Sequence, residues 1–239
     1  MALETQTLTY ELNGHSFDAV VKHPTGGTGP RPAVLVCHAW GGRSAHEEAA
    51  AERLADWGYV GAAVDVFGVG VRGQSPAECE ALITPLMQDR EALQARLRAA
   101  LTAVTGLEGV DETRVAAIGF CFGGLCALDL ARANAPIKGG AAFHALLGAT
   151  GTFGDEPIKP KVLALHGYDD PLADADAQRV FTDEMTARKA DWQLHLYGGV
   201  SHAFTNEGAN DPNLGLKHDP VAADRAWGSL KSFLTETIA

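Results

Sequence analysis

Apolar residues along this chain fall into two kinds of run. Short continuous stretches, AVLVCHA (33–39), YVGAAVDVFG (59–68), RVAAIGF (114–120), IKGGAAFHAL (137–146) and KVLALHG (161–167), carry no alternating polar face. Such runs predict strands covered on both sides. Between them lie segments with helical spacing: EEAAAERLADWG (47–58), ending at Gly58, FGGLCALDLARAN after residue 121, DADAQRVFTDEMTARK (174–189) and a closing helix over 220–238. Ser75-Pro76-Ala77-Glu78 matches a capping box and opens a helical region to about Val104, with a bend expected near Pro85. Only two segments read differently. Residues 5–23 form a hairpin about Asn13-Gly14, and WQLHLYGG (192–199) is a further strand.

Buried strands that alternate with helices predict an α/β fold: a doubly wound, mostly parallel sheet with helices on both faces. With no repeat or low-complexity segment, residues 1–239 read as a single domain. In such sheets, function gathers in the loops beyond the carboxyl ends of the strands.

Three of those loops carry reactive side chains. After the strand RVAAI comes Gly119-Phe120-Cys121-Phe122-Gly123, a G-x-nucleophile-x-G turn with Cys where Ser is usual. Glycines two before and two after let strand and helix pack closely, and the helix N-terminus favours thiolate. After KVLALHG come Asp169 and Asp170, of which Asp170 is favoured as the acid that orients a histidine, Asp169 holding the turn. After the strand at 192–199 comes His202. The order Cys, Asp, His is that of the α/β-hydrolase triad. Oxyanion donors are expected from the N–H of Phe122 and from the loop after AVLVCH, at Ala39 or Trp40.

Composition narrows the classes. Hydrophobic residues make up 46% and charged residues 21%, as in a globular protein, and the formal net charge is −11. That balance argues against a nucleic-acid partner. No stretch has the length of a membrane span, and the N-terminus lacks the pattern of a signal peptide. Cys37, Cys79, Cys121 and Cys126 form no CxxC pair, so no disulfide or metal framework is expected, and a cytoplasmic location is the default.

GFCFGG (119–124), HGYDDP (166–171), SHAF (201–204) and GYVGAAVDVFG (58–68) together resemble the dienelactone hydrolase family of α/β-hydrolases, over nearly the whole chain. The resemblance implies Cys121 as nucleophile, His202 as base and Asp170 as its partner, acting through an acyl-enzyme on a small ester or lactone with no cofactor or metal. It also marks departures. A glutamate of the family is replaced by His38, positioned to hydrogen-bond the thiol or serve structurally. An arginine four residues after the histidine is replaced by Asn206, and the other carboxylate-gripping arginine has only a displaced counterpart in Arg72. A bidentate clamp is not restored by asparagine. Arg43 and Arg72 are the remaining anion contacts. Trp40, Phe67 and Phe204, with Phe120 and Phe122, are expected to wall an apolar pocket. Phe143 reads as core, and His144 as a cleft-lining or supporting residue. Thioester cleavage or acyl transfer would use the same triad, and a non-catalytic binding or redox-sensing protein could keep the same fold.

Overall fold

The computed structural model describes residues 2–26, 29–148 and 151–239. The hairpin comes first, β1 (Leu3–Leu12) and β2 (His15–Pro24). Asn13 and Gly14 both take positive φ, 52° and 78°, as a two-residue turn between right-twisted strands requires. The chain then alternates: β3 (Arg31–Cys37), α1 (Ala45–Asp56), β4 (Val60–Val64), α2 (Pro76–Gln88), α3 (Arg90–Thr105), β5 (Val110–Phe120), α4 (Phe122–Arg132), β6 (Gly139–Phe143), β7 (Lys161–Gly167), α5 (Ala175–Ala187), β8 (Trp192–Tyr197). A short ribbon, β9 (Asn210–Asp211) with β10 (Leu216–Lys217), precedes α6 (Pro220–Ile238). The main sheet runs β1-β2-β4-β3-β5-β6-β7-β8, parallel from β4 to β8, with the hairpin antiparallel at one edge.

Both faces of the sheet are covered, which is why its central strands read as unbroken apolar runs. Val34 and Val36 pack with Leu54 of α1 and Trp227 and Leu230 of α6. Their neighbours Ala33, Leu35 and Cys37 face the other way, against Leu93 and Leu97 of α3 and Leu125 of α4. Phe181 and Met185 of α5 close the same layer over β6 and β7.

The helical region after Ser75 is not one bent helix. It breaks at Asp89, whose backbone (φ −120°, ψ 83°) leaves the helix and whose side chain caps α3 by accepting from Ala92 N–H. Pro85 sits inside α2 without ending it, and its carbonyl accepts the N–H of Asp89. The proline removes one donor, but the asparate-type cap three residues before Ala92 supplies the new start.

The junction of β5 and α4 is where space is tightest. A Cβ on Gly119 would stand 2.1 Å from Gly123 O, and one on Gly123 would stand 2.1 Å from Cys37 O and 2.6 Å from His38 O. So the end of β3 lies against the first turn of α4. Gly123→Ala is expected to lower stability by about 3 kcal/mol, the upper end of overpacking costs, read as a lowered urea midpoint. An unchanged midpoint would mean that the two segments are free to separate.

Candidate active site

Cys121 occupies the turn that those glycines make possible. Its backbone is held at φ 55° and ψ −116°, a conformation that a side-chain-bearing residue adopts only under constraint. Its N–H is bonded to Phe143 O at 3.0 Å, and its carbonyl accepts from Gly124 and Leu125. The thiol is half-buried at the N-terminus of α4.

His202 follows β8 and is almost wholly buried. Its Nδ1 bonds Asp170 Oδ2 at 2.7 Å, and since a carboxylate only accepts, Nδ1 carries the proton. Asp170 is itself fixed, its Oδ1 accepting from Leu172 N–H at 2.8 Å and its Oδ2 lying 3.3 Å from His166 Nε2. Asp169 is solvent-facing, with its N–H on Val200 O. The remaining nitrogen of the base, His202 Nε2, is shut off from water and has no hydrogen-bond partner among the described residues. Cys121 is close enough to act on the charge of the ring. Burial works to lower the imidazole pKa, but the hydrogen bond to Asp170 and the hydrogen bonding and charge of Cys121 outweigh it and lift the value to about 10.

Cys121 and His202 open on a cavity of about 850 Å³, and Asp170 lies behind them. Trp40, Phe120, Ile83, Leu146, Leu172 and Leu216 supply apolar wall, and Arg43, His46, Glu47, Arg72 and His144 also reach it. The far rim is the ribbon, from Asn206 to Leu216. His144 takes φ 37°, bonds Thr205 Oγ1 through Nε2 at 2.8 Å and meets the His202 ring edge-on at 5.0 Å. Burial, and then the neighbouring imidazoles, hold His144 well below the usual histidine range.

Other residues singled out in the sequence stand elsewhere. His38 does not line the cavity. Its Nε2 accepts from Val66 N–H at 3.2 Å, so in the neutral ring Nδ1 donates to Ala39 O at 2.7 Å. Burial favours that neutral form. Phe67 lies behind the wall, edge-on to His38 at 4.5 Å and stacked on Phe122 at 6.0 Å. Phe204 is fully buried between His144 and Tyr197. Phe143 stacks on Phe120 at 5.0 Å in the core.

The backbone donors separate in the same way. Ala39 N–H is engaged by Glu47 Oε1 at 3.2 Å. The N–H groups of Trp40 and Phe122 have no acceptor among the described residues. Sequence reasoning passed over Glu47, although Ser44-Ala45-His46-Glu47 carries the S-x-x-E signature of a capping box, which the structure forms. The same loop holds the arginines. Arg43 pairs with Asp18 at 2.8 Å and with Glu48. Arg72 donates to Arg43 O at 2.5 Å and Val71 O at 2.6 Å, and lies 3.5 Å from Asp65. No group of His, Cys, Asp and Glu suited to a metal ion occurs among the described residues, and no described helix is long and apolar enough to cross a membrane.

The profile of the dienelactone hydrolase family matches residues 17–238. The chain belongs to that family. The fold is that of the α/β-hydrolases, and the protein is a hydrolase of the carboxylic ester class. Among solved structures, a dienelactone hydrolase-like promiscuous phosphotriesterase, P91, from metagenomic libraries is 32% identical, with a TM-score of 0.94 over 100% of both chains. A probable 2-oxo-3-(5-oxofuran-2-ylidene)propanoate lactonase of Bradyrhizobium is 29% identical over 98% of this chain and 96% of its own. A carboxymethylenebutenolidase candidate of Aquifex aeolicus is 27% identical, over 93% and 94%. Within this family, the site described here differs from the expected carboxylate grip in having Asn206 and two internally paired arginines.

Proposed function

We propose that this member of the family hydrolyses small uncharged esters through a thioester on Cys121. The observation that carries the reading is the Asp170–His202 hydrogen bond at 2.7 Å, with His202 lining the same cavity as Cys121, the thiol held in a strained turn.

Passage of the Cys121 proton to His202 Nε2 gives a thiolate beside an imidazolium. Sulfur attacks the acyl carbon, and the oxyanion is received by the N–H groups of Phe122 and Trp40. His202 gives its Nε2 proton to the departing alkoxide, leaving a neutral imidazole and a thioester. Acylation removes the anion that helped to raise the His202 pKa, so the imidazole becomes a competent base for water. Water adds, its proton passes to Nε2, and collapse of the adduct releases the acid and restores the pair. Asp170 holds Nδ1–H in place throughout. The side chains and water suffice for each step, and Cys121 is best kept reduced in a cytoplasmic setting.

The substrate class follows from charge. Arg43 and Arg72 already have carbonyl and carboxylate partners, while Asp18, Glu47, Glu48, Asp65 and Asp211 stand around the same loops and rim. A substrate carboxylate would lose water without gaining a free cation. A second electrophile is favoured by the 32% identity to a phosphotriesterase over the full chain: a neutral phosphate triester would meet the same thiolate and donors.

One assay tests these points, nitrophenolate release from 4-nitrophenyl benzoate, from its 4-carboxybenzoate analogue and from diethyl 4-nitrophenyl phosphate. The neutral benzoate is expected to exceed the carboxylated one in kcat/KM by at least about tenfold, with slower turnover of the phosphate. Equal or better use of the carboxylated ester would refute the charge argument. No turnover of either benzoate would refute the ester reading.

A further inference from the structure

Glu47 is among the most buried charged residues of the protein, 1% exposed, yet it also reaches the cavity. All of its hydrogen bonds go to one loop. Oε1 accepts Ala39 N–H at 3.2 Å, at the loop's beginning. Oε2 accepts Ser44 N–H at 2.9 Å and Ser44 Oγ at 2.7 Å, at its end. Helix capping explains the second oxygen only. The first spans eight residues back to the end of β3, where no capping rule places a carboxylate.

The loop so clipped is the one opposite the nucleophile. Ala39 O closes it internally, accepting from Gly42 N–H at 3.1 Å and from His38 Nδ1. Gly41 O is held by Gly73 N–H at 3.0 Å. With Ala39 N–H tied to Glu47, the first N–H of the loop left free is that of Trp40, whose side chain lines the cavity. The His38 carbonyl, at the start of the same loop, lies so near the first turn of α4 that a Cβ on Gly123 would stand 2.6 Å from it. The segment carrying Trp40 N–H and the one carrying Phe122 N–H thus pack against each other, and Trp40 and Cys121 line the same cavity.

We infer that Glu47 is a positioning residue for the oxyanion site: its carboxylate takes Ala39 N–H and both donors of Ser44, and so fixes the loop with Trp40 N–H available to the developing charge. Glu47 touches neither substrate nor thiol in this role, and the inference rests on the ester-hydrolase reading above. Losing one preorganised oxyanion donor typically costs on the order of 10²–10³-fold in kcat.

The test compares Glu47→Ala, Glu47→Gln and Ser44→Ala with the unaltered protein, using 4-nitrophenyl benzoate turnover and alkylation of Cys121 by iodoacetamide. Alkylation needs the thiolate and His202 but no oxyanion donor. Glu47→Ala is expected to lower kcat about 100-fold with KM within about threefold and alkylation rate unchanged. Glu47→Gln retains one acceptor oxygen and regains part of the loss, and Ser44→Ala, which removes only one of three bonds, shows a smaller fall of the same kind. Unchanged kcat in Glu47→Ala would overturn the inference, as would a parallel fall in kcat and alkylation, the mark of a site that has collapsed as a whole. Should Glu47→Ala not fold, the other two variants decide: a kcat-only fall supports the clip, and equal losses in both readouts refute it. Failure of the unaltered protein to turn over the ester would instead strike the parent reading.

Discussion

Cys121→Ala should leave a folded protein in which ester turnover falls on the order of 10⁴-fold or more. The reason is that no other thiol can substitute. Cys37 and Cys126 are fully buried, and burial pushes the Cys37 thiol up to about 12 and Cys126 well above its usual value. Cys79 is also raised, chiefly by burial, and lies under the loop at Gly41 and Gly73. Alanine fits the space of Cys121 but keeps its positive φ, so the fold loses little beyond what that conformation already costs. The measurement is steady-state nitrophenolate release beside circular dichroism, and a fast-quench burst equal to one thiol in the unaltered protein. Retained turnover in the alanine variant would remove the thioester from the mechanism.

The second large effect is expected from Asp170→Asn, with kcat lower on the order of 10³-fold or more. An amide at this position can accept from Leu172 N–H, but it no longer holds an imidazolium or a single tautomer of His202. Stability should respond with a definite sign. The folded-state pKa of His202, about 10, lies above its ordinary 6.5. The protonated base therefore stabilises the fold fully below about pH 6.5, and that contribution is lost as pH rises through about 10. Asp170→Asn removes a main support of the raised value. The gap in urea midpoint between the two proteins should be widest near pH 6.5 and close toward pH 10. A gap that is constant or that grows with pH would mean that the carboxylate is not what sustains the imidazolium.

Much of this arrangement is legible in the sequence because it rests on local rules. Continuous apolar runs give strands buried on both faces, Asn13-Gly14 gives the hairpin, and two glycines around Cys121 give the strained turn. The chain order of Cys121, Asp170 and His202 then places the three at one end of a parallel sheet. What was not legible depends on pairing between distant segments. The parallel register of Cys37 with Val64 brings His38 beside Val66 N–H, so of the two roles open to it in the sequence, thiol partner or structural residue, it takes the bonds of the second. Phe67 and Phe204 lie past the strand ends in a bend and a turn, where no strand alternation sets the side-chain direction, and both pack in the layer behind the cavity. The capping box at 44–47 marks a helix start, but nothing local says that its carboxylate has a second oxygen to spare for Ala39. The break at Asp89 was hidden by Pro85, the louder signal, which the helix absorbs.

The ribbon at the cavity rim is rooted in the chemistry it encloses. His202 bridges to Leu216, Lys217 N–H bonds His202 O at 3.1 Å, and Gly215 packs so closely on Pro171 that a Cβ there would sit 2.3 Å from its ring. The base, and the proline that follows the acid, are thus stitched to the same end of the strap, Gly215 to Lys217. Exchanging the strap's tip between family members should retune which acyl groups are admitted, whereas altering its stem would shift the imidazole itself. Selectivity in this scaffold can drift at residues 206–214 while the stem holds proton transfer constant.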